Sequence, residues 1–300
     1  MNVTVTGATG LIGTKLVAAL KARGDTITVL SRSPAQAEEA LGVEAAAWDP
    51  AAGPAPAGAL SGRDAVVHLA GAPVAQRWSA KVKAAILESR ELGTRNLVAG
   101  IAAAAPKPGV LVSSSAVGYY GSHGDERVPE STPAGDDFLA GVCVRWEREA
   151  DLAEGLGLRV VKIRTGVVLD ATGGALKTML PAFKAGVGGP VAGGDQYMPW
   201  IHVDDIVGLY LKAIDDPAWS GAYNGAAPEP VTNKEFSKAL GAALHRPSLA
   251  PVPAVAIKLL YGEMAEIVTE GQRAVPERAL AEGYGFTHTE LQAALKSALD

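Results

Sequence analysis

Three glycines three residues apart, Gly7, Gly10 and Gly13, mark the passage from a β-prone opening (Asn2–Thr6) into an amphipathic stretch from Leu11 to Arg23. Strand, glycine turn and helix in that order aim free backbone amides and the positive end of a helix at one point, where a diphosphate can rest. Gly7 permits the tight turn, Gly10 lets the backbone approach the anion, and Gly13 lets the helix pack against the strand. The turn as a whole, with Thr9, Leu11 and Ile12, is therefore expected to bind a dinucleotide. The end of the second strand reads which one. A site for NAD usually offers an acid to the ribose hydroxyls there, yet residues 26–37 hold no Asp or Glu and the tip is Ser31-Arg32-Ser33. A guanidinium between two hydroxyls suits a 2′-phosphate through charge-assisted, bidentate contacts. The expected cofactor is NADP(H).

Other reactive residues follow along the chain. Asp49 follows the third strand, where a carboxylate would meet the adenine amino group, and His68-Leu69-Ala70-Gly71-Ala72-Pro73 would pass beneath the adenosine. Core packing explains His68 nearly as well. Arg77 and Trp78 precede a long helix that carries Lys81 and Glu88-Ser89-Arg90. An arginine there would cross the mouth of the sheet and hold an anionic substrate group, whereas Lys81 and Glu88 suit solvated helix surface. Tyr119 and Tyr120 lie on the loop leaving the fifth strand, at the strand ends where open α/β sheets bind ligands. The only cysteine, Cys143, acts as an acid only near a positive group, and its apolar helix face suits core packing better. His202, Asp204 and Asp205 are not read as a metal set. The first two are neighbours on a strand face, the third points away, and capping of the next helix is the use expected of one aspartate.

These groups need a scaffold. Asn2–Thr6, residues 26–30, 43–48, 65–68, 110–114 and 159–164 read as strands, with helices over 11–23, 34–41, 79–105 and 138–156 between them. Near-continuous apolar strands such as residues 65–69 suit burial on both faces. Strand–helix alternation at this spacing predicts a Rossmann-type doubly wound α/β fold with a parallel sheet. Beyond Thr165 the rhythm breaks into glycine-rich loops, with helices expected near 175–184, 203–214, 233–244 and from Thr289. Residues 1–165 are expected to form the dinucleotide-binding domain and 166–300 a smaller C-terminal substrate lobe, with 200–225 returning to the sheet.

Composition sets limits. A chain of 300 residues with 48% hydrophobic and 20% charged residues lies in the globular range and buries roughly 75% of its unfolded surface. A net charge of −5 argues against a nucleic-acid partner. One cysteine excludes an internal disulfide. No apolar run reaches the ~18 residues of a membrane helix, and no basic-then-apolar leader opens the chain. A soluble cytoplasmic protein with a small-molecule substrate and no membrane partner is expected.

The chain resembles the extended short-chain dehydrogenase/reductase superfamily over nearly its whole length, through GATGLIG, HLAG, SSSAVGYYG and WIHVDD. More narrowly it resembles the atypical "epimerase family protein" branch, similar to nucleoside-diphosphate-sugar epimerases, through Gln76–Val98, Val142–Glu147 and Gly193–Asp205. Some members of that branch carry a cell-division-inhibitor label. The resemblance implies an NADP(H)-binding oxidoreductase or epimerase acting on a small polar substrate held against the C-terminal lobe. It implies a catalytic serine at Ser115 and a substrate pocket lined by Lys177, Phe183, Trp200 and His202. It also implies a Tyr–Lys pair four residues apart on a helix, which this chain lacks. None of its seven tyrosines has Lys at that distance, and the register falls on Val142 and Trp146. A cofactor-binding regulator without turnover is the alternative reading.

Overall fold

A computed structural model describes residues 1–248 and 250–300. Its centre is a parallel sheet of seven strands, β1 (Asn2–Thr6), β2 (Thr26–Ser31), β3 (Glu44–Ala47), β4 (Ala65–His68), β5 (Val110–Ala116), β7 (Arg159–Thr165) and β11 (Gly221–Gly225). The spatial order is β3-β2-β1-β4-β5-β7-β11. The chain runs outward from β1 to β3, crosses back to β4, and runs outward again. That reversal opens a crevice at the carboxyl ends of β1 and β4, where ligands of such sheets bind. The sheet itself extends one strand past Arg164, as β11 pairs with β7 from Gly221↔Val161 to Gly225↔Thr165.

Side-chain alternation along the strands builds two cores. Val3, Val5, Val67, Val112 and Ile163 face α1 (Leu11–Ala22) and α6 (Val203–Asp215). Val66, Leu111 and Val160, each one residue out of step, face α3 (Ala80–Ala103) and α4 (Phe138–Asp151) with Leu97, Ile101 and Ala150. The short α2 (Pro34–Leu41) leads into β3. Truncating a residue such as fully buried Leu97 to Ala costs about 2–5 kcal/mol.

The second lobe is built from α5 (Gly174–Lys184), α7 (Asn233–Ala243) and α11 (Leu291–Leu299) around Leu176, Leu180, Phe183, Trp200, Phe236 and Leu295. Short pairs stitch it together: β8 (Val167–Leu169) with β10 (Trp200–His202), and β9 (Tyr197–Met198) with β12 (Val231–Thr232). A third pair, β6 (Arg127–Val128) with β13 (Arg273–Ala274), ties the loop after β5 to the C-terminal segment. α8 (Ala254–Tyr261), α9 (Glu266–Thr269) and α10 (Glu277–Ala281) lie in the stretch between residue 252 and that final helix. Among the described residues, no helix is long and apolar enough to cross a membrane.

Two expected boundaries move. The helix expected over 138–156 ends at Asp151 and continues as a separate 3-10 turn at Glu154–Leu156, closed by Gly157 at φ +89°. The helix before Pro106 stops at Ala103, because a residue preceding proline is pushed out of the helical region. Capping of α6 also differs: His202 itself caps the helix, its Nδ1 accepting the Asp204 amide at 3.2 Å. Asp205 turns elsewhere and accepts the amides of Thr287 and His288 at 2.7 and 2.9 Å.

Candidate functional site

Around the turn between β1 and α1 the backbone packs too closely for a side chain at Gly7 or Gly13 and tightly at Gly10. Gly7 adopts φ +66°, and a Cβ there would stand 2.6 Å from the carbonyl carbon of Leu69 and 2.7 Å from the amide nitrogen of Ala70. A Cβ on Gly13 would stand 2.4 Å from the Gly7 carbonyl oxygen, and one on Gly10 3.3 Å from the same atom. Gly10 is the N-cap of α1, which has no side-chain cap and no acid in its first turn. An uncapped helix start of this kind, closed to side chains, fits an anion held by main-chain amides.

The other expected cofactor residues line the same edge of the sheet. Ser31 ends β2, its hydroxyl accepting the Ser33 amide at 3.1 Å and its carbonyl the Trp48 amide at 2.9 Å. Arg32 between them is exposed, as is Asp49, whose carboxylate accepts the Ala51 amide at 3.0 Å. After β4 the Leu69 amide donates to the Thr6 carbonyl at 3.2 Å and the Ala70 amide to the Thr6 hydroxyl at 3.3 Å. Leu69, Ala70 and Gly71 therefore lie directly against the glycine turn. His68 is held in the core: its ring nitrogens meet the hydroxyls of Thr6 at 2.7 Å and Thr94 at 3.1 Å. Burial, helped by the charge of Arg90, brings its pKa down to about 4.

Ser115, Tyr119 and Tyr120 come together around a buried ion pair that the sequence reading did not single out. Ser115 Oγ donates to Glu147 Oε1 at 2.6 Å. Arg164 grips the same carboxylate with Nε and Nη2, both at 2.9 Å. Its Nη1 donates to the Tyr120 hydroxyl at 2.9 Å, and that hydroxyl donates to Asn224 Oδ1 at 2.7 Å. The Tyr119 ring covers the guanidinium carbon at 3.5 Å. Burial costs the Arg164 cation, but the bonds and charge of Glu147 outweigh that cost and hold its pKa above the usual value. Burial pushes the Tyr120 phenol to about 12. Little in the sequence marks this network: Glu147 sits in the charged run Arg145-Trp146-Glu147-Arg148-Glu149, and Arg164 follows Lys162-Ile163.

Val142 and Trp146, at the register of the absent pair, are both buried. Cys143 between them is buried too, and burial together with the charge of Glu147 raises its thiol to about 12. It stays protonated near neutral pH.

The expected substrate residues divide. Lys177 is exposed on α5. Arg77 is exposed and donates to the carbonyls of Leu259 and Leu260 at 2.6 and 3.2 Å. Trp78 packs edge-on to Phe138 with ring centroids 5.2 Å apart. Phe183 and Trp200 lie instead inside the core of the second lobe, the Trp200 indole donating to the Glu229 carbonyl at 3.1 Å. His202 is buried and its ring stacks on His288 at 3.6 Å. His202, Asp204 and His288 bring ligand atoms within 4.8 Å of one another. The Nδ1 of His202 already accepts the Asp204 amide at 3.2 Å, and the Asp204 carboxylate meets the His288 Nε2 at 3.3 Å.

The glycine turn and the strand edge beside it lie within residues 3–224, which match the family model described as the NAD dependent epimerase/dehydratase family. The chain belongs to that family. Residues 252–298 match a separate model described as a domain of unknown function. The epimerase family protein SDR39U1 homolog of Arabidopsis thaliana, described as chloroplastic, is 42% identical over 99% of this chain and 86% of its own. A crystal structure of the human epimerase family protein SDR39U1 with NADPH superposes with a TM-score of 0.90 at 37% identity, covering all of both chains. A nucleoside-diphosphate sugar epimerase of Corynebacterium glutamicum gives 0.80 at 34% identity, covering all of this chain and 58% of its own.

Proposed function

We propose that this chain is an NADP(H)-dependent oxidoreductase of the epimerase family acting on a small polar substrate, such as a sugar nucleotide. The observation that carries the reading is the side-chain-free cradle of Gly7, Gly10 and Gly13 at an uncapped helix start, with exposed Arg32 in place of an acid. The human relative's structure with NADPH supports the same choice. The amides of the turn would hold the diphosphate, Ser31, Arg32 and Ser33 the 2′-phosphate, and Leu69–Gly71 and Asp49 the adenosine. When bound, the dinucleotide supplies or accepts hydride.

The chain's own residues must then handle the proton. Ser115 and Tyr120 have their hydroxyls tied into the Glu147–Arg164 network, and Cys143 is held as a neutral thiol. Tyr119 is the phenol of this group whose hydroxyl bonds to no described residue, and it is half-buried on the loop leaving β5. It is the donor this reading assigns.

The commitment of Ser115 and Tyr120 also favours a second reading, a protein that binds NADPH as a regulator without turnover. One experiment separates them. The purified protein is mixed with NADPH and a panel of carbonyl compounds and sugar nucleotides, and absorbance loss and product stereochemistry are followed. Turnover that Tyr119→Phe reduces at least about a hundredfold supports the enzyme and its donor. Turnover unaffected by that change removes Tyr119 from the account. Tight NADPH binding with an inert panel favours the regulator.

A further inference from the structure

Among the described residues, no acid forms a salt bridge with Arg90. It rises from α3 into the gap between the loop after β4 and helix α4. Its Nη1 donates to the carbonyls of Ala72 and Ile86 at 3.1 and 3.2 Å, while Nε and Nη2 bond to no described residue. Gly71 packs closely against it: a Cβ there would stand 3.1 Å from the guanidinium carbon and 3.2 Å from Nη2. On the other side the ring of Trp146 lies 5.0 Å away, and its buried indole Nε1 also lacks a partner.

No acid pairs with Arg90 among the described residues, and three acids on α3 and α4 are held by other arginines. Glu147 is held by Arg164 and Ser115. Glu91 is shared by Arg95, Arg145 and Arg148, and Glu149 is taken by Arg95. A half-buried cation pays for lost hydration unless a partner replaces the water. A planar guanidinium with one edge unused matches the two oxygens of a carboxylate or a phosphate.

We propose that the free edge of Arg90 is an anion subsite that holds a carboxylate or phosphate group of the substrate beside the cofactor groove. This rests on the dinucleotide reading above, because the cofactor's own anions are there assigned elsewhere: the diphosphate to Gly7–Gly13 and the 2′-phosphate to Arg32. The remaining anion belongs to the substrate. Accepted substrates are therefore anionic near the reacting carbon, and neutral analogues of the same shape bind more weakly.

The test uses the full chain saturated with NADPH, so that the glycine turn and Arg32 are already filled. Inorganic phosphate is titrated against sodium chloride at equal ionic strength while the melting temperature is followed. Wild type should rise with phosphate and not with chloride. Arg90→Gln should lose the rise, and Arg90→Lys, which keeps the charge but not the fork, should need at least about tenfold more phosphate. No rise in wild type overturns the subsite. So does a rise that persists unchanged in Arg90→Gln, which places the phosphate elsewhere. If Arg90→Gln fails to fold, an unchanged phosphate midpoint in Arg90→Lys overturns it instead. Failure of wild type to retain NADPH is a different outcome, read before any phosphate is added, and it defeats the dinucleotide reading instead.

Discussion

Ser115 Oγ donates to Glu147 Oε1 at 2.6 Å, and that same oxygen accepts Arg164 Nε at 2.9 Å. The serine at the expected catalytic position thus serves as a third member of a buried ion pair. Removing one partner of such a pair strands the other charge. Glu147→Ala is expected to destabilise the fold by about 3–5 kcal/mol, whereas Ser115→Ala should cost only about 1 kcal/mol. Urea unfolding of both variants checks the order, and equal losses would show that the carboxylate does not anchor the network.

His68 makes stability depend on pH. Its folded pKa of about 4 lies below the ordinary 6.5 because burial disfavours the charged ring. The unfolded chain therefore binds the proton more readily. The contribution is complete above pH 6.5 and is lost as pH falls toward 4, amounting at most to about 3 kcal/mol. Unfolding free energies measured between pH 7.5 and 4.5 should fall more steeply in wild type than in His68→Gln. Parallel curves would contradict this.

The glycines of the turn should fail in different ways. Gly13→Ala puts a methyl 2.4 Å from a backbone oxygen, so the loop must shift and the melting temperature should drop by several degrees, as for a loss of about 1–3 kcal/mol. Gly10→Ala meets that oxygen at 3.3 Å and should fold, yet bind NADPH at least about tenfold more weakly, since its methyl occupies the approach to the diphosphate. Melting curves and fluorescence titration separate the two effects.

Cys143 should be inert in the native protein. A thiol held near 12 offers almost no thiolate at neutral pH. Iodoacetamide should label it far more slowly at pH 7.5 than in denaturant. Equal labelling rates would place the thiol in solvent.

Much of this was legible because it is local. The β-prone opening of β1, the near-continuous apolar runs of β4 and β5 and the glycine turn at residues 7–13 follow from neighbouring residues, so the sheet and its cradle could be read directly. The network around Ser115 could not. Glu147 stands 32 residues away on α4 and Arg164 on β7, and only the packing of that helix on the sheet joins them. Phe183 and Trp200 look like pocket aromatics in isolation, but the lobe needs them to fill its own core around Leu176 and Phe236. An aspartate cap was the natural expectation for α6, because the loop at Thr287–His288 that claims the Asp205 carboxylate lies over 80 residues later.

Cofactor choice is set at the sheet edge that carries Arg32. Fluorescence titration of wild type and Arg32→Ala with NADPH and NADH tests it most directly. Wild type should bind NADPH at least about tenfold more tightly than NADH, and Arg32→Ala should lose that margin while keeping its NADH affinity, as expected for the loss of one charge-assisted phosphate contact. Equal affinities in wild type, or a preference that survives without Arg32, would contradict it.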